Sequence, residues 1–232
     1  MLACRFCNES LGWATRFCPF CGKPDPAVVV ERPRPAAAAA AANAAPMAVA
    51  LTKGMNLSLS KTYPGVDRIR IGLGWNERTA AGDAIELDGI VFMTADNGKV
   101  RGDEDLIFYN QVTSACRSVT FGGKQGRGEA FAVSLDLIPT AIRHLVIGVT
   151  IYEDGARRQD FGQVRGASIC LTDMKTGVEL VRFDLPDDQG TETAMILGEI
   201  YRRRGEWKFR AVGQGFAGGL RALCGHFGVS VA

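Results

Sequence analysis

From Leu51 onward the chain breaks into short apolar runs separated by turn signals, and this limits the possible folds more than any other feature. Ile69 and Ile71 alternate with Arg70, and Glu86–Met93, Leu106–Tyr109 and Phe131–Leu137 are further runs of strand length. Leu145–Tyr152 is almost wholly apolar and rich in β-branched residues, as expected of a central strand buried on both faces. Asp96-Asn97-Gly98 is a strong turn signal. Lys175-Thr176-Gly177 separates Ile169–Leu171 from Val178–Phe183, and Arg204-Gly205-Glu206 separates Ala194–Tyr201 from Trp207–Val212. In that last run Trp207, Phe209 and Ala211 fall on one face, with Lys208 and Arg210 on the other. Only the tail has a helical period, at Leu220, Leu223, Cys224 and Phe227. The pattern predicts a mainly β chain: an antiparallel β-sandwich with a short C-terminal helix.

The first 25 residues follow different rules. Cys4-Arg5-Phe6-Cys7 and Cys18-Pro19-Phe20-Cys21 are two Cys-x-x-Cys pairs with ten residues between them. Two tight turns supplying two thiolates each make the tetrahedral soft-ligand set that zinc requires. The matched pairs, without a βαβ context, favour zinc over disulfides or a redox pair. A closed four-cysteine site is structural, because a module this small needs a staple. Residues 1–25 are therefore expected to form a small zinc ribbon through Cys4, Cys7, Cys18 and Cys21. Residues 26–50, rich in Pro and Ala, are expected to be a flexible linker, and residues 51–232 the sandwich.

Charge narrows the function. Residues 1–50 hold five Lys/Arg against three Asp/Glu, which is the whole net charge of +2, so the sandwich itself is neutral. A neutral domain gives no electrostatic reason for sequence-independent nucleic-acid binding. The basic excess of the ribbon, with Phe6, Trp13 and Phe20 as stacking candidates, leaves nucleic acid as an alternative partner there. No signal peptide or membrane-length apolar run is apparent, and the cysteines read as ligands or small buried hydrophobes, so the expected location is cytoplasmic. No nucleophile elbow, phosphate loop or open metal site is present. His144 and His226 lack a cysteine or carboxylate at metal spacing and read as structural, and Cys116, Cys170 and Cys224 as buried thiols. The expectation is a chain that is not an enzyme.

Several motifs, in order, carry a resemblance. They are Leu51-Thr52-Lys53-Gly54, Gly72-Leu73-Gly74-Trp75, Phe108-Tyr109-Asn110-Gln111, Phe161-Gly162-Gln163-Val164, Thr191–Glu199 and Gly205–Gly215. Together they resemble the TerD family of tellurium-resistance and stress proteins over residues 51–232. The resemblance implies a β-sandwich with calcium-binding loops at one end, acting as an adaptor or scaffold with protein partners in a stress-response assembly. Against the family's acidic calcium loop, Thr120–Glu129 is shorter, with Arg127 and Gly128 where paired aspartates are expected. Asn76 stands where an aspartate is usual. The resemblance therefore implies a degenerate calcium site, its remaining ligands drawn from Asn76, Asp88, Asp103, Asp105 and Glu129, with Glu86 and Glu104 nearby in sequence.

Overall fold

The computed structural model describes residues 2–3, 10–11, 48–77, 85–152, 159–187 and 190–229. The chain divides into two units, Met1–Ala45 and Pro46–Ala232. In the first, β1 (Leu2–Ala3) and β2 (Ser10–Leu11) form an antiparallel ladder, with Leu2 opposite Leu11. This ladder brackets Cys4 and Cys7 in sequence. The four cysteines lie outside the described residues.

The second unit is a sandwich of two six-stranded sheets. Sheet I consists of β4 (Asn56–Ser58), β14 (Glu206–Phe216), β13 (Ala194–Arg203), β10 (His144–Ile151), β6 (Leu87–Thr94) and β7 (Leu106–Ile107), in that spatial order. Sheet II consists of β3 (Val49–Leu51), β12 (Glu179–Asp184), β11 (Val164–Asp173), β5 (Arg68–Glu77), β9 (Gly128–Ser134) and β8 (Val119–Lys124). Every pairing is antiparallel except that of β3 with β12, which is parallel. Parallel neighbours need a long crossover, and the chain between β3 and β12 supplies one. At three residues, β3 is too short to leave a periodic signal, and it takes in Val49 and Ala50 from the end of the linker stretch.

Between the sheets lies the main core, where Ile69, Ile71, Phe131, Phe183 and Phe209 are fully buried. The face division of the last hairpin is as its alternation indicates: Phe209 and Ala211 are buried and Trp207 packs against the same core. The Leu145–Tyr152 run forms β10, buried from Leu145 to Ile151. Its outer face is covered by α2 (Gly219–Phe227), whose Leu223, Cys224 and Phe227 form a second core with Ile90, Phe92, Val146 and Ile196. The rings of Phe92 and Phe227 lie 4.4 Å apart. A one-turn helix, α1 (Leu59–Thr62), was not apparent in the sequence; Ser58 Oγ caps it by accepting the Lys61 N–H at 3.3 Å.

Phe209 tests the core. It is fully buried, and its ring fills the space over Gly198, where a Cβ would come within 2.6 Å of it. Phe209→Ala should cost about 3–5 kcal/mol in urea unfolding. The exposed Met55→Ala should change stability by less than about 0.5 kcal/mol.

Candidate functional site

The Thr120–Glu129 stretch, expected to be a degenerate acidic loop, forms a β-hairpin. Its β8 and β9 arms pair Phe121 with Phe131 and Lys124 with Glu129, and the Gln125 N–H donates to the Gly128 carbonyl at 2.8 Å. Gly126 takes the left-handed conformation in the turn, with φ at 61°. Gly128 passes so close to β5 that any Cβ would overlap the Leu73 carbonyl oxygen. Gly128 thus lets the hairpin join sheet II tightly.

Glu129 lies opposite Leu73 and, like it, points between the sheets. Only 2% of it is exposed, and its Oε2 accepts the N–H of Gly89, on β6 of the facing sheet, at 2.6 Å. That stretch of β6 is open because β7 pairs only with Val91 and Phe92, and the carboxylate satisfies a backbone donor that no strand reaches. Asp88, next along β6, shares with Glu129 a cavity of about 350 Å³, also lined by Glu86, Lys124 and the rings of Tyr109 and Tyr152. Burial pushes the carboxyls of both Asp88 and Glu129 above the usual range. The charge of Lys124 opposes the rise in both, and a carboxylate neighbour adds to it: Glu86 for Asp88, and Asp88 for Glu129.

The remaining expected ligands lie elsewhere. Asp105 is 1% exposed and forms a two-pronged salt bridge with Arg101, both contacts at 2.7 Å. Asp103 is exposed in the turn before β7, and its carbonyl accepts from Gln111. Its charge reaches Cys224, whose thiol burial and then this carboxylate push up to about 11. Asn76 is exposed on β5 beside Arg165 and Gly166. The structure thus brings Asp88 and Glu129 together with Glu86, and sets Asn76, Asp103 and Asp105 apart. Calcium takes six to eight oxygens. Among the described residues no group of three or more His, Cys, Asp or Glu is arranged to hold a metal ion. Glu129 is committed to Gly89, and Lys124 already supplies positive charge to the cavity.

Sequence reasoning missed the link from Glu129 to Gly89, since the two are 40 residues apart and meet only when the sheets face each other. The isolated cysteines also differ from one another: Cys224 is buried, whereas Cys116 and Cys170 are half-buried.

Two six-stranded sheets, a carboxylate-lined cavity at one end and a helix docked on one outer face define a two-layer β-sandwich module. The TerD domain model matches residues 47–227, and the chain belongs to the TerD family. The tellurium resistance protein TerD of Serratia marcescens is 47% identical over 192 residues, covering 80% of this chain and all of that protein. General stress protein 16U of Bacillus subtilis is 38% identical, with the same coverage. The crystal structure of a TerD homologue from Streptomyces coelicolor, 19% identical, superposes with a TM-score of 0.54 over 67% of this chain and 94% of that one, a likeness of fold.

The raised Glu129 fixes the sign of a pH effect. A carboxyl whose folded pKa lies above its unfolded value contributes stability below the unfolded value and loses it as pH rises through the folded one. Glu129→Gln keeps an acceptor for Gly89 without the buried charge. It should be at least as stable as the parent near pH 7, and that margin should shrink toward about pH 4.5. Glu129→Ala leaves the Gly89 N–H unpaired and should cost about 1–3 kcal/mol at both pH values. Urea unfolding of the three proteins checks this; Gln behaving like Ala would show that the charge itself is required.

Proposed function

We propose that this chain is a non-catalytic adaptor of the cytoplasmic stress response, tellurium resistance included, in which a zinc ribbon presents one binding surface and the sandwich another. The observation that carries the reading is how the match is distributed. Relatives named for tellurium resistance and general stress are covered over their whole length by about 80% of this chain, and the four cysteines at 4–21 fall outside the family match at 47–227. A complete stress-family domain is thus joined to a second module through a Pro/Ala-rich segment, an arrangement suited to bringing two partners together. No helix among the described residues is long and apolar enough to cross a membrane.

In this reading Cys4, Cys7, Cys18 and Cys21 hold one structural zinc, and the partners are proteins. The calcium site is degenerate: Lys124 answers the buried carboxylates Asp88 and Glu129 from within the chain, so the sandwich scaffold does not depend on calcium. The bonds of these carboxylates support the non-catalytic reading, since Glu129 caps a backbone donor and Asp105 is held by Arg101.

Elemental analysis and calorimetry on the full-length protein test both metals. One equivalent of zinc per chain is expected, lost in Cys18→Ser with the melting of the sandwich unchanged. Calcium, added after treatment with a calcium-selective chelator, should give no saturable heat up to millimolar concentration. Absence of zinc would remove the ribbon from the reading. Micromolar calcium binding would make the protein a calcium-responsive adaptor instead.

A further inference from the structure

A second cavity, of about 210 Å³, opens on the outer face of sheet I. Strand register builds its floor. Thr94, His144, Tyr201 and Lys208 stand side by side across β6, β10, β13 and β14, and the next row is Phe92, Val146, Glu199 and Arg210. Helix α2 covers the apolar part of this face, and its last residues, His226 and Phe227, form one wall of the cavity. Where the helix stops, the rows turn polar.

Glu199 is the pivot. Its side chain is only 8% exposed, and both oxygens are used: Oε1 accepts from His144 Nδ1 and Oε2 from Arg210. Burial alone would raise its pKa, but His144 and Arg210 outweigh burial and hold it below the usual range. An ionised carboxylate only accepts, so the proton of this contact sits on Nδ1 of His144. The Tyr201 ring lies flat beside His144, centroids 6.2 Å apart, and the Arg210 guanidinium sits 5.9 Å over the same ring. A buried ion cluster of this kind is weak evidence for stability, since an apolar row of similar volume would serve as well or better. What it does is fix an imidazole and a guanidinium in orientation at the edge of a cavity.

The groups left over define a ligand. Arg210 is half-exposed and has four further N–H donors in a planar fork suited to an oxyanion. Gln214, exposed four residues further along β14, adds an amide to the lining. With Nδ1 spent on Glu199, Nε2 is the ring nitrogen of His144 left for the cavity it lines. A ligand that satisfies a planar guanidinium fork and an amide together is a compact anion with several oxygens. Nearby, Lys99 donates to the carbonyl of the wall residue His226, and Arg143, just before His144, pairs with the exposed Asp96. At roughly 30 Å³ per water, the cavity holds a small hydrated oxyanion and is below the usual size for larger ligands.

We propose that this cavity is a binding site for a small multi-oxygen oxyanion, such as hydrogentellurite or hydrogen phosphate, with Arg210 and Gln214 donating to its oxygens and His144 Nε2 at its edge. The site is independent of the adaptor reading and of the cavity around Glu129. The tellurium-resistance names of the relatives make tellurite the natural probe, and phosphate is the probe that does not react with thiols.

Calorimetry on the full-length protein at neutral pH, in a buffer free of oxyanions, would compare sodium tellurite, phosphate and acetate. Saturable binding of tellurite or phosphate is expected, with acetate, whose two oxygens cannot serve the Arg210 fork and the Gln214 amide together, clearly weaker. Arg210→Ala should weaken binding roughly tenfold or more, the loss of a charge-assisted bond. Gln214→Ala, which leaves the Glu199 cluster intact, should weaken it severalfold with thermal unfolding unchanged. Three results would overturn the assignment: no saturable heat from either oxyanion, binding indifferent to both substitutions (as a thiol reaction with tellurite would be), or acetate binding as tightly as phosphate.

Discussion

Sheet I is covered twice, and most of the molecule follows from that constraint. Its inner face closes the main core against sheet II, and its outer face receives α2. A strand covered on both faces cannot alternate, so β10 is apolar almost throughout. The helix covers only part of the outer face, however. Ile90, Phe92 and Ile196 lie in the second core it forms, while the adjoining rows carry His144, Tyr201, Glu199 and Arg210. The boundary between apolar and polar rows on one sheet face is set by where a nine-residue helix ends.

The same logic explains which parts of the fold were legible in the sequence. Wherever one face or both faces are buried over five or more residues, the pattern is present: β6, β10, β13, β14 and α2 all stand where the apolar runs place them. Elements that rest on other physics were not apparent. The one-turn helix α1 depends on a Ser58 cap and tertiary contact, and β3 on a partner far along the chain. The Thr120–Glu129 segment could be recognised as lacking its acids, but not as a hairpin. What closes it is the close approach of Gly128 to the Leu73 carbonyl, and that follows from sheet order rather than local preference.

Site residues were less legible for a related reason. The sequence singled out Asp88 and Glu129, which do share a cavity, yet grouped with them Asp105, which is committed to Arg101. It took His144 as structural because no carboxylate lies near it in sequence. Its partner Glu199 is 55 residues away and becomes its neighbour only through the β10–β13 register. Sandwich folds build their polar clusters across strands, so spacing rules designed for helices and loops do not detect them.

The two buried glutamates show how one residue type serves opposite ends. Glu129 sits among carboxylates with a backbone donor as its bonded partner, and burial raises its pKa. Glu199 sits between an imidazole and a guanidinium, and its pKa falls despite similar burial. The first is a charge the fold carries in order to close an open strand edge, and a neutral amide could replace it. The second holds two cationic or basic groups in a fixed geometry, which an amide would not reproduce, because Gln offers a single acceptor oxygen in place of two. Carboxylate chemistry therefore separates a structural cap at one place on the sandwich from an oriented constellation at another. The oriented constellation, on the outer face beside α2, lines a different cavity from the one that Glu129 shares with Asp88.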